Sequence, residues 1–102
     1  MLNIITIMFM LISQAFAVPA AQPIAKIGSN CPSNYSSNGS YCNPNSSAMF
    51  AIAKIGSNCP SNYSSNGSYC VATSSSTKLA IPKVGSNCPS NYSSNGAYCL
   101  QN

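Results

Sequence analysis

Three near-identical segments, each with two cysteines, occupy most of this chain and restrict what it can fold into. They read IAKIGSNCPSNYSSNGSYC at residues 24–42, the same string again at 52–70, and IPKVGSNCPSNYSSNGAYC at 81–99. Inside every copy the cysteines stand 11 positions apart (Cys31 and Cys42, Cys59 and Cys70, Cys88 and Cys99), whereas the step between copies is 28 residues and then 29. The module is therefore the fixed element. The intervening stretches, NPNSSAMFA at 43–51 and VATSSSTKLA at 71–80, diverge most and are Ser-rich, as linkers or variable loops are. Self-similarity at this period marks a repeat architecture.

The composition excludes an ordinary globular domain. The chain has no Asp, Glu, His or Trp, and its only charged side chains are Lys26, Lys54, Lys78 and Lys83. Charged residues make up 4% of the chain, against about 25% in a typical soluble domain. The large apolar residues crowd into the first 17 positions, and those that remain are few for a core. A chain that cannot bury enough surface needs covalent staples. Six cysteines at repeated spacing supply them, provided the protein leaves the reducing cytosol.

The N-terminus provides for that. Residues 1–17, MLNIITIMFMLISQAFA, hold a short apolar run followed by Ala15-Phe16-Ala17, the pattern of a signal peptide with an A-x-A cleavage site. The run is shorter than the roughly 20 apolar residues a membrane-spanning helix requires. It departs from the usual pattern in having no Lys or Arg before the apolar run. Cleavage after Ala17 leaves residues 18–23 (VPAAQP) as an extended leader, and residues 100–102 form a short tail. The expectation is a secreted or periplasmic protein with no stable membrane span after cleavage.

Turn chemistry sets the local expectation. Asn38-Gly39, with Asn66-Gly67 and Asn95-Gly96, suits the two central positions of a type I′ hairpin turn, which would set Tyr35 opposite Cys42. Cys31-Pro32-Ser33-Asn34 reads as a second turn with Pro32 at its first central position, folding Cys31 back towards Cys42. Ile24, Ala25, Lys26 and Ile27 form a third short strand ending in a bend at Gly28. Pro82 gives the last copy an edge or extended segment there. The fold class expected is small, disulfide-rich and all-β: three tandem β-hairpin modules joined by Ser-rich spacers. Two cysteines per copy favour pairing within copies, Cys31–Cys42, Cys59–Cys70 and Cys88–Cys99. One such bridge contributes roughly 3 kcal/mol against about 1.5 kcal/mol for each ordered residue. It ties a hairpin and does not order the whole chain. Modules that behave as independent beads and modules that stack side by side both fit the pattern.

Little in the chain points to chemistry. General acid–base catalysis lacks its usual carboxylates and imidazoles, so no catalytic residue is assigned and the protein reads as a non-enzyme. Cysteines 11 apart are not the close pairs of a structural zinc site or of a C-x-x-C redox motif, so neither metal nor cofactor is expected. The lysines are isolated and form no dense basic patch, which argues against nucleic acid as a partner. N-x-[ST] sequons occur at Asn34, Asn38, Asn45, Asn62, Asn66 and Asn91; the third copy keeps Asn95-Gly96 but loses the sequon, so the turn is the recurring feature. The candidate binding residues are the paired tyrosines Tyr35/Tyr41, Tyr63/Tyr69 and Tyr92/Tyr98. Exposed rings could stack on a sugar, with three weak sites acting together; alternatively they pack over the disulfides as a miniature core.

The pattern CPSNYSSNGSYC, flanked by IAKIG and VATSSS, resembles the tandem CPSGY…YC repeats of short exported bacterial proteins. The resemblance covers about four-fifths of the chain. It implies a bacterial exported repeat protein and transfers no activity and no binding residue. Asn34, Asn62 and Asn91 stand where that pattern often has Gly, as a left-handed backbone position tolerates. The leading functional expectation is a non-enzymatic exported protein with a structural or surface-binding role, its partner a cell-surface polymer or glycan. The alternative is a small cationic secreted effector of antimicrobial or toxin type.

Overall fold

A computed structural model describes residues 17–102, so the signal peptide expected over 1–17 lies, but for Ala17, outside the described residues. The described chain is all-β. Nine strands form three separate antiparallel sheets, one per copy. In the first, β1 (Ile24–Ala25) and β2 (Tyr35–Asn38) flank a central β3 (Tyr41–Pro44). The second repeats this with β4 (Ala51–Ala53), β6 (Tyr69–Ala72) and β5 (Tyr63–Asn66). The third uses β7 (Ala80–Pro82), β9 (Tyr98–Gln101) and β8 (Tyr92–Asn95). Each module is thus a hairpin with a third strand added, and the central strands run past residues 42, 70 and 99 into the spacers and tail. Pro82 lies on the edge strand β7, where a missing N–H costs no ladder bond.

The hairpin turn differs from the sequence expectation by one residue. Asn38 pairs with Tyr41, Ser37 with Cys42 and Tyr35 with Pro44, so the central turn residues are Gly39 and Ser40, not Asn38 and Gly39. Gly39 has φ +64° and Ser40 does not have positive φ, which is the pattern of a type II′ turn with glycine first. Asn38 is therefore the last strand residue and its side chain belongs to a sheet face. The second turn is also displaced: the Tyr35 N–H donates to the Pro32 carbonyl at 3.1 Å. That puts Ser33 and Asn34 at the centre and Pro32 at the first corner. Asn34, Asn62 and Asn91 have φ of 67°, 65° and 70°, the left-handed conformation that Asn tolerates better than other residues with a side chain.

Disulfides join Cys31 to Cys42, Cys59 to Cys70 and Cys88 to Cys99, with Cα separations of 5.6, 5.6 and 5.7 Å. The second cysteines are fully buried at 0% exposure. Each bridge ties the central strand to the loop that follows the first strand. That loop turns tightly at Gly28, Gly56 or Gly85, and pairs Ile27 with Asn30, Ile55 with Asn58 and Val84 with Asn87.

The modules stack; they are not beads. Side chains alternate between the two faces of a strand, so Tyr41-Cys42 and its counterparts put the tyrosine on one face of each sheet and the disulfide on the other. Because Ser37 is opposite Cys42, Tyr35 shares the disulfide face; because Asn38 is opposite Tyr41, Asn38 shares the tyrosine face. In the stack, the tyrosine face of one module lies on the disulfide face of the module before it. One buried cluster holds Tyr35, Cys42 and Ala51 with Tyr69, and the next holds Tyr63, Cys70, Ala72 and Ala80 with Tyr98. A buried aromatic removes roughly 150–250 Å² from water, worth several kcal/mol at about 25 cal/mol per Å². That is the scale of one disulfide (~3 kcal/mol), so staple and stacking contribute comparably.

Candidate functional site

The most developed polar constellation among the described residues is the joint between modules. Tyr69 leaves its own sheet and enters module 1, where the Ile27 N–H donates to its hydroxyl at 2.7 Å and the hydroxyl donates to the Asn30 carbonyl at 3.0 Å. The same hydroxyl lies 3.7 Å from the Cys42 Sγ. Tyr98 repeats the arrangement on module 2: it accepts from the Ile55 N–H at 2.6 Å, donates to the Asn58 carbonyl at 2.9 Å, and sits 3.7 Å from the Cys70 Sγ. The tight glycine turn explains the fit. By pairing Ile27 with Asn30 it turns one N–H and one carbonyl towards the same point, and a phenol is one of the few side-chain groups that both accepts and donates there.

A second contact runs beside it. The Asn66 side chain accepts from the Ser33 N–H at 3.1 Å and donates from its amide nitrogen to the Ser33 Oγ at 2.9 Å. Asn95 does the same with Ser61, at 3.1 Å for both bonds. The left-handed Asn34 and Asn62 close the turns that present Ser33 and Ser61. The first tyrosine of each pair secures the spacer: Tyr35 donates to the Met49 carbonyl at 2.7 Å, and Tyr63 to the Lys78 carbonyl at 2.8 Å. The Ala80 N–H donates back to the Tyr63 hydroxyl at 3.2 Å. Burial pushes the phenol of Tyr35 above its ordinary range and that of Tyr63 up to about 12, with the backbone hydrogen bond from Ala51 or Ala80 opposing the shift.

The candidate sugar-stacking residues therefore divide. Tyr69 and Tyr98 are 1% and 2% exposed, and Tyr35 and Tyr63 are also buried. In this fold these four side chains are covered by protein and present no open ring to a ligand. Tyr92 is half-buried. Tyr41, 56% exposed, keeps an open ring. The miniature-core alternative describes the four buried tyrosines, with the difference that Tyr69 and Tyr98 cover the disulfide of the neighbouring module. What sequence reasoning missed is the asparagine beside each turn. Its placement on the tyrosine face depends on the one-residue register that Asn-Gly chemistry misassigns.

Among the described residues all six cysteines are bridged, and no group of three or more His, Cys, Asp or Glu could hold a metal. An open groove of about 350 Å³ runs between the leader and the spacers, lined by Val18, Ala21, Met49 and Phe50 with the polar side chains of Asn45, Ser46 and Ser75 at its wall. No helix among the described residues is long and apolar enough to cross a membrane. The three disulfides accord with an extracellular or periplasmic location.

Comparison with protein-family models, curated proteins and solved structures finds no match. The class is therefore defined by the geometry itself: a head-to-tail stack of disulfide-stapled, three-stranded β-modules locked tyrosine to disulfide.

Proposed function

We propose that this is a non-enzymatic exported protein with a structural role, a stapled spacer whose modules are held in fixed succession. The observation that carries this reading is where the aromatic groups go. Four of the six tyrosines are buried in joints and spacers. Much of the exposed surface is Ser and Asn, and the chain lacks the acidic and imidazole groups that chemistry at neutral pH commonly uses. The test is recovery of the protein from its producing cell. Expected are an intact mass beginning at Val18 with no free thiol, a location in the envelope or medium, and no leakage from anionic vesicles at micromolar protein. Leakage at low concentration would instead establish the cationic effector.

A surface-binding role has one observation of its own. Lys26, Lys54 and Lys83 occupy the same place in each stacked module, each with its backbone N–H bonded at 2.9 Å to the turn residue Ser40, Ser68 or Ala97. The three lysine positions thus recur at the module period, as binding to a polymer with regularly spaced anionic groups would require. Salt-sensitive retention on an anionic cell-wall polymer, lost when all three are changed to Gln, is the expected result. Retention unchanged by that replacement would remove this role.

A further inference from the structure

The joint has two unlike halves, and the stack leaves one of each open among the described residues. On module 1 the tyrosine face is uncovered: Tyr41 is 56% exposed, where its counterparts Tyr69 and Tyr98 are 1% and 2%. Asn38 is likewise exposed, where Asn66 and Asn95 are half-buried. On module 3 the disulfide face is uncovered. Val84 is 85% exposed against 37% for Ile27 and Ile55, Pro89 is exposed where Pro32 and Pro60 are buried, and Tyr92 is less buried than Tyr35 or Tyr63.

Both open halves are fully built. The module 3 notch reads KVGSNCPSN against KIGSNCPSN in the other two, a difference of one methylene. Its Val84–Asn87 bridge and the positive φ of Gly85 (69°) match those of the occupied notches. The segment SSNGSYC that ends in Tyr41-Cys42 is the same as the one that ends in Tyr69-Cys70. We propose that the partner of each open half is a second copy of this chain. The Tyr41 face of one copy seats on the Cys88–Cys99 face of another, and the internal joint continues from chain to chain.

In that contact the Tyr41 hydroxyl accepts from the Val84 N–H and donates to the Asn87 carbonyl, while the Asn38 amide brackets Ser90. The contact is heterologous, so each added copy presents a fresh Tyr41 face and a fresh Val84 face. Such an interface closes into a ring if its rotation permits and otherwise extends as a filament. Two features make it weaker than the internal joints. No spacer tethers the partners, so the effective concentration of a short linker is lost. The position of Ala51 and Ala80, whose N–H groups reach Tyr35 and Tyr63, is Pro23 ahead of module 1, which has no N–H to give to Tyr92. The inference concerns a partner and does not rest on the structural role proposed above.

Sedimentation velocity on the protein as recovered from its producing cell, from about 10 µM to about 1 mM, tests it. The expected result is an average mass that rises with concentration past that of two chains. Tyr41→Ala retains only the module 3 half and Val84→Lys only the module 1 half. Each variant alone is expected to stay monomeric, and their equimolar mixture to form dimers and stop there. Both positions are exposed, so unfolding temperatures are expected to match the wild type; Pro89→Arg is a second block of the module 3 half. Wild-type protein that stays monomeric throughout overturns the proposal. So do variants that assemble like the wild type, or a mixture that remains monomeric.

Discussion

Replacing Tyr69 by Phe removes one oxygen and keeps the ring, which isolates the hydrogen-bonding half of the joint. The lost hydroxyl leaves the Ile27 N–H and the Asn30 carbonyl without the partners they have at 2.7 and 3.0 Å. A buried polar group left unpaired costs about 1–3 kcal/mol. Ile27 is 37% exposed, so water reaches part of the site and the lower half of that range applies to each group. The expected loss in coupling between modules 1 and 2 is about 2–4 kcal/mol. That is a large share of the ~5–15 kcal/mol that a whole domain has. Amide hydrogen exchange reads it directly. At about 1.4 kcal/mol per decade, exchange at Ile27 should accelerate by roughly 30- to 700-fold in Tyr69→Phe, while Ile55, held by Tyr98, stays protected. Tyr41→Phe supplies the control, because the same residue in module 1 is 56% exposed; at low concentration its effect should stay within about 0.5 kcal/mol. If Tyr69→Phe were as mild as Tyr41→Phe, or if the Ile27 amide exchanged at its original rate, the hydroxyl would not be what couples the modules.

Other consequences can be checked in the same preparations. Replacing Cys59 and Cys70 by Ser should lower stability by roughly 3 kcal/mol and loosen both neighbours in a urea titration, because module 2 contributes to both joints; a loss confined to module 2 would contradict the stack. Asn62→Ala should cost about 1–2 kcal/mol for placing an ordinary side chain at φ 65°, while Asn62→Gly should be close to neutral in thermal unfolding. The Tyr63 phenol is held near 12 in the folded protein against 10.0 when unfolded. Above pH 10 the unfolded state therefore loses its proton first, and stability should be complete below that pH and fall as pH rises towards 12. Tyr63→Phe should flatten that fall in an alkaline unfolding series.

Much of the module was legible in the chain. Fixed cysteine spacing pointed to one bridge per copy, and the glycines with Asn34, Asn62 and Asn91 marked places where the backbone has positive φ, whereas Asn38, Asn66 and Asn95, expected to share it, do not. The hairpin register was not legible, because Asn-Gly is also the favoured I′ pair; the alternative, Gly first with Asn as the last strand residue, differs by a single position. That slip hid the role of Asn66 and Asn95, since a one-residue change reassigns which face a side chain occupies. Exposure of the tyrosines was equally hidden, because identical residues in identical local sequence have opposite fates: Tyr41 is open and Tyr69 is closed.

The sequence by itself determined the unit: a short staple, two tight turns and an alternating Tyr-Cys strand, all fixed by steric and covalent rules that act within a few residues. Only the tertiary structure decided that the units stack, in which direction, and with which groups. Stacking depends on a backbone N–H and a carbonyl being brought to one point by a turn in one module and met by a phenol some 40 residues later. Neither backbone group leaves a trace in residue identity, so the joint becomes visible only when the chain has folded around it.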